Sequence, residues 1–197
     1  MTIILAWYRD LIELTMSSNL MTMVQPGAFS NLIQIGVLNL RLNNLTTIKS
    51  DSNSITNIQS GAILNLPKMR ELNLQSNQIT DIRPGTFSNL PNLPRLRLSS
   101  NHITNIWPGA FSSLPQLRWL DMCSNQLTYI QADAFSNLPQ LSYLNLASNQ
   151  IATIPPDTFL DLPQLMKLVL LNNPWQCDCR MVAFSLSSAE MLTNTIK

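Results

Sequence analysis

Asn53, Asn77, Asn101, Asn125, Asn149 and Asn173 stand 24 residues apart, and Asn19 and Asn43 show the same interval upstream. Around them runs the pattern LxxLxLxxNxLxxL, completed by xPxxxFxxLP, as in "LPRLRLSSNHITNI" (93–106), "LRWLDMCSNQLTYI" (117–130) and "LSYLNLASNQIATI" (141–154). Phe29, Phe87, Phe111, Phe135 and Phe159 recur at one slot, which Ile63 fills once. One period is too short to bury its own apolar face, so a chain that keeps such a period must stack its coils and share a core between neighbours. That constraint predicts a solenoid before any other property is considered.

Each fixed letter has a mechanical task. Alternation in LxL turns Leu144 and Leu146 inward from a short strand and Tyr143, Asn145 and Ala147 outward. Neighbouring coils pair these strands into a parallel sheet. The asparagine follows the strand, where the chain turns away from the sheet. Its amide carries both donors and an acceptor, so it can satisfy backbone groups that the turn would otherwise bury unpaired. Asn101, Asn125 and Asn149 are expected to form a ladder along the stack, and the phenylalanines to fill the core from the opposite, convex side.

The outward slots are free to vary because the fold asks little of them. Their first column reads Glu71, Arg95, Trp119, Tyr143, Lys167, and the second Asn73, Arg97, Asp121, Asn145, Val169. The third reads Gln75, Ser99, Cys123, Ala147, Leu171. Adjacent strands lie about 4.8 Å apart, so neighbours within a column touch. Arg95, Trp119, Tyr143 and Lys167 should therefore form one band, flanked by Arg97, Asp121, Asn145 and Val169. Tryptophan, tyrosine and arginine dominate binding hot spots because they cover a large area with few rotatable bonds and keep polar tips. The structural alternatives are a Trp–Tyr pair that merely stabilises the sheet and a surface ion pair between Arg97 and Asp121.

Composition narrows the function. Of the 197 residues 12% are charged and the net charge is +1, so there is no global field for nucleic acid or anionic lipid. No apolar run approaches the roughly 18 residues of a membrane span. The opening "MTIILAWYRD" is too short for a secretory signal and lacks its basic region. Asn44-Leu45-Thr46 is a glycosylation sequon. The one histidine, His102, takes the framework slot held by Gln78, Gln126 and Gln150 in other coils. No phosphate loop, zinc motif or nucleophile–base pair is present in the sequence, so no catalytic residue, metal or cofactor is assigned. Cys123 is read as a free thiol on an outward position. Cys177 and Cys179 lie close together near the C-terminus and are read as structural rather than metal-binding.

These motifs resemble the leucine-rich repeat family, in the 24-residue form found in extracellular receptors, from Leu11 to about Arg180. The stretch "LVLLNNPWQCDCR" (168–180) is similar to the NPWxCxC opening of a Cys-flanked C-terminal cap, with Asn173, Pro174, Trp175, Cys177 and Cys179 as its cap residues. Such caps occur in Toll-like receptors, Slit-type guidance proteins and variable lymphocyte receptors, and the "FSNLPQL" connectors resemble the last in particular. The resemblance implies an α/β-type repeat protein, mostly β and irregular: a right-handed leucine-rich repeat solenoid, or horseshoe, with a concave parallel sheet. It implies an extracellular, non-enzymatic recognition module for immunity, binding a protein, glycan or microbial cell-surface ligand on that sheet. The alternative is an adhesion, guidance or matrix module that binds proteins without an immune role.

The expected organisation is a partial repeat or edge over 1–10, repeats over 11–172 with an irregular zone at 35–68, and a truncated cap over 173–197. Within 1–10, Leu5 falls at the phenylalanine slot and Tyr8 at the following leucine slot. An uncapped end also predicts homodimers, because it leaves core and strand edge open to a second chain. Asn43 and Asn53 are too close for each to close a full coil, so one strand must be lost or bulged. Ser50, at an inward slot, points to 45–54 as the displaced piece.

Overall fold

The structure is a computed structural model that describes residues 8–24, 28–45, 63–155 and 158–176. Among these residues the strands, in chain order, are β1 (Glu13–Thr15), β2 (Val37–Asn39), β3 (Ile63–Leu64), β4 (Glu71–Asn73), β5 (Asp81–Ile82) and β6 (Phe87–Ser88). Then follow β7 (Arg95–Arg97), β8 (Asn105–Ile106), β9 (Trp119–Asp121), β10 (Tyr143–Asn145) and β11 (Lys167–Val169). Seven of them form one parallel sheet in the order β1-β2-β4-β7-β9-β10-β11. The register joins equivalent positions of successive coils, as in Leu96↔Leu120 and Leu120↔Leu144. The chain is a parallel-sheet solenoid, with smaller ladders β3–β6 and β5–β8 off the main sheet.

Buried leucines build the wall. Leu72, Leu96, Leu120 and Leu144 are fully buried, as are Leu74, Leu98, Met122 and Leu146 two residues on, which is the alternation the sequence predicts. Across the core the rings of Phe87, Phe111, Phe135 and Phe159 stack in a row, with centroids 6.2, 6.2 and 6.1 Å apart. Ile63 continues that row, buried and in register with Phe87.

The asparagine ladder works through backbone rather than from amide to amide. Asn125 Nδ2 donates to the carbonyls of Met122 in its own coil and Leu98 in the coil before, both at 3.0 Å. Its Oδ1 accepts the Ile103 N–H at 3.0 Å. Asn77, Asn101, Asn149 and Asn173 repeat the arrangement, so each amide fastens one coil to its predecessor. Just before these asparagines, Ser76, Ser100, Ser124, Ser148 and Asn172 adopt φ of 54–55°. The left-handed turn brings the amide back under the strand; it is unusual for serine, which carries a Cβ.

The zone of crowded asparagines resolves into one long repeat. β2 pairs directly with β4, Leu38 opposite Leu72, although 34 residues separate them rather than 24. Leu45 is not displaced: it is buried, and its N–H donates to Asn77 Oδ1 at 3.1 Å. The rest of the expected displaced piece, Asn53 included, lies outside the described residues. A second correction concerns Tyr8, which is 58% exposed instead of inward. Leu11 takes up the packing at that end, lying partly buried against the core.

Candidate functional site

Because the strands are parallel and in register, outward residues 24 apart become direct neighbours. Glu71 faces Arg95, Arg95 faces Trp119, Trp119 faces Tyr143, and Tyr143 faces Lys167. The rings of Trp119 and Tyr143 stack face to face, with centroids 3.6 Å apart and planes 10° apart. Lys167 Nζ sits over Tyr143 at 5.5 Å from the ring centroid, within cation–π range. Trp119 keeps 39% of its surface exposed in spite of this stacking.

The charged end of the band is organised around Glu71. Arg95 Nη1 donates to Glu71 Oε2 at 3.1 Å. Arg97 Nε lies 3.1 Å from Glu71 Oε1, an ion-pair distance. Its N–H is not aligned on that oxygen, so this buried atom makes no hydrogen bond. The alternative of a surface ion pair between Arg97 and Asp121 thus gives way to one with Glu71, although Asp121 is the register partner of Arg97. Asp121 instead turns Oδ1 to the N–H of Cys123, at 3.2 Å. Asn145 does the same for Ala147 at 3.1 Å, and Val169 lies half-buried at the end of its column.

Cys123 and Tyr143 share an environment. Burial, and then the Asp121 carboxylate, push the Cys123 thiol above its ordinary pKa. Burial, then Asp121 and Cys123, do the same for the Tyr143 hydroxyl, which therefore stays a neutral hydrogen-bond donor at physiological pH. His102 lies away from this band, exposed, with Nδ1 2.9 Å from Gln126 Nε2, a contact along the framework edge.

At the C-terminal end Asn173 Nδ2 donates to Leu146 and Leu170 carbonyls, and Trp175 Nε1 also donates to the Leu170 carbonyl at 3.0 Å. Trp175 packs partly buried against the core, while Pro174 is exposed. Cys177 and Cys179 lie outside the described residues.

Two features escape the column reading. Arg70 and Arg118 are exposed one residue ahead of β4 and β9, where the interstrand hydrogen bonds already begin. Their signal was the LxxL spacing, which leaves two outward residues before each strand leucine. Arg83 also lies over the Trp107 ring at 5.1 Å, beside the β5–β8 ladder. Both residues occupy one slot 24 residues apart, the only cue the sequence offered.

Comparison with known proteins agrees with this architecture. Residues 51–103, 67–127, 91–151 and 121–174 match the profile of a leucine-rich repeat family. A solved structure, internalin C2 from Listeria monocytogenes str. 4b F2365, is similar at 29% identity and a TM-score of 0.66. That alignment covers 90% of this chain and 69% of the internalin chain. Comparison with curated protein sequences gives no match.

Proposed function

Since the chain belongs to the leucine-rich repeat family, whose domains generally bind proteins, we propose that it is a non-enzymatic recognition module that grips a protein partner on its concave sheet. The observation that carries this reading is the continuous band from Arg95 through Trp119 and the half-buried Tyr143 to Lys167. Its strands are too short and regular to need those side chains, since the leucines and asparagines already hold the coils. A contact over five strands spans about 20 Å, enough for a partner that buries about 800 Å² per side.

The proposed setting is extracellular. The NPWxCxC stretch suits an oxidising compartment, and among the described residues no helix is long and apolar enough to cross a membrane. Within this setting the narrower reading is immune recognition of a microbial or other antigen, supported by the connectors and cap motif that resemble variable lymphocyte receptors. An adhesion or matrix role would use the same face.

The test is a pull-down from intact bacteria, purified cell-wall components and animal cell extracts, with wild type beside Trp119→Ala/Tyr143→Ala. Wild type is expected to retain a protein partner and the double variant to lose it by at least about tenfold, as for a central aromatic anchor. Retention unchanged by the double substitution would remove the concave face from the reading. Capture from bacteria alone would favour the immune form, and capture from animal extracts the adhesive one.

A further inference from the structure

A nearly neutral chain hides a strongly sided distribution of charge. Between residues 63 and 176 the sheet face and its entry residues carry Arg70, Arg95, Arg97, Arg118 and Lys167, against Glu71 and Asp121. The other described charges of that region reverse the balance, with Lys68 and Arg83 against Asp81, Asp133 and Asp161. Each cation of this face has another one or two strands away, about 5–10 Å and close to a Debye length at physiological salt, so together they form a continuous positive stripe.

Glu71 does not cancel this patch; one carboxylate holds two guanidiniums. It hydrogen-bonds Arg95 through Nη1 and attracts Arg97 Nε by charge alone, and among the described residues no acceptor pairs with the Arg97 Nη atoms. An arginine held by one edge and open at the other is set to take a carboxylate. The aromatic pair adds an apolar contact beside these cations. Trp119 and Tyr143 cover each other's faces at 3.6 Å, and Lys167 covers the second face of Tyr143. The edges of the pair, with Trp119 39% exposed, give an aliphatic side chain a surface to pack against.

We propose that the partner's docking segment is an acidic polypeptide, whose carboxylates meet Arg95, Arg97 and Lys167 while an apolar side chain packs on the Trp119–Tyr143 edge. This deepens the concave-face reading and rests on it. The probe is a fluorescein-labelled oligoglutamate carrying a central Leu–Leu pair, followed by fluorescence anisotropy beside the same peptide with every Glu replaced by Gln. The Glu peptide is expected to bind at least about tenfold more tightly than the Gln peptide, and to weaken steeply with added salt. Arg95→Gln/Arg97→Gln should cost about tenfold, whereas Glu71→Gln, which removes the opposing charge but keeps an amide oxygen beside the arginines, should tighten binding about threefold at low salt.

Equal binding of the two peptides, no binding of the Glu peptide, or stronger binding of a heparin-derived oligosaccharide would overturn the proposal. If Trp119→Ala/Tyr143→Ala weakens both peptides equally while the arginine variant binds normally, the acidic class falls and the concave face stands. If neither variant alters peptide binding, both fall. Unchanged circular dichroism melts for each variant would exclude loss of fold as the cause.

Discussion

At the scale of single residues, Cys123 shows how the sheet face governs chemistry it does not need for folding. Its half-buried thiol lies beside the Asp121 carboxylate, and both circumstances favour the protonated form. A raised pKa means less thiolate at a given pH, so iodoacetamide should alkylate Cys123 more slowly at pH 8 than it does a free cysteine. Asp121→Asn removes the second cause and should speed the reaction roughly two- to fivefold, with the difference fading as pH rises above the thiol pKa. Mass spectrometry of the Cys123 peptide over a pH series would check this, and a rate unaffected by the substitution would contradict it. The outward columns were legible because strand alternation leaves no other place for them. The partner of Arg97 was not, since spacing puts Asn73 and Asp121 beside it and Glu71 only diagonally across, so side-chain length and direction choose. Asp121 is short and already engaged with the Cys123 N–H; Glu71 reaches both arginines.

Between neighbouring coils, the joint is the turn asparagine. Removing the Asn125 amide would strand the buried Ile103 N–H and take one of two donors from each of the Leu98 and Met122 carbonyls, which keep Asn101 and Asn149. Asn125→Ala should lower stability by roughly 3 kcal/mol in urea denaturation, the cost of one buried N–H without a partner together with the lost bonds to the carbonyls. Among the described residues Asn19 bonds only to carbonyls of its own exposed coil, Met16 and Ser17, so Asn19→Ala should change stability by no more than about 0.5 kcal/mol. Equal losses at the two positions would refute the role of the amide as a fastener between coils. The sequence announced these asparagines, their ladder and their bonds to backbone, but not that each amide reaches into the coil before its own. The left-handed turn ahead of them falls on serines such as Ser124, which carry no obvious mark of it. The ladders β3–β6 and β5–β8 went unread for a similar reason: two-residue strands show no periodicity.

Across the whole molecule, stability is a sum over neighbours rather than the property of a single centre. Excision of residues 102–125, one full period of 24, should leave a folded chain with a cooperative circular dichroism melt at lower temperature. Excision of 102–113 should abolish the melt, because inward and outward slots no longer meet across the cut. The solenoid itself was legible because one rule, repeated, describes most of the chain. Its exception, the step from β2 to β4, was foreseen as a long repeat but misplaced at Leu45, where burial keeps the leucine in the stack. That step has a practical meaning. Ten surplus residues enter there, and Val37, Leu38 and Asn39 still meet Glu71, Leu72 and Asn73 one for one. A scaffold that shrugs off an insert of that size offers an engineer a port, where an epitope or reporter loop could be spliced in while the gripping surface keeps its shape.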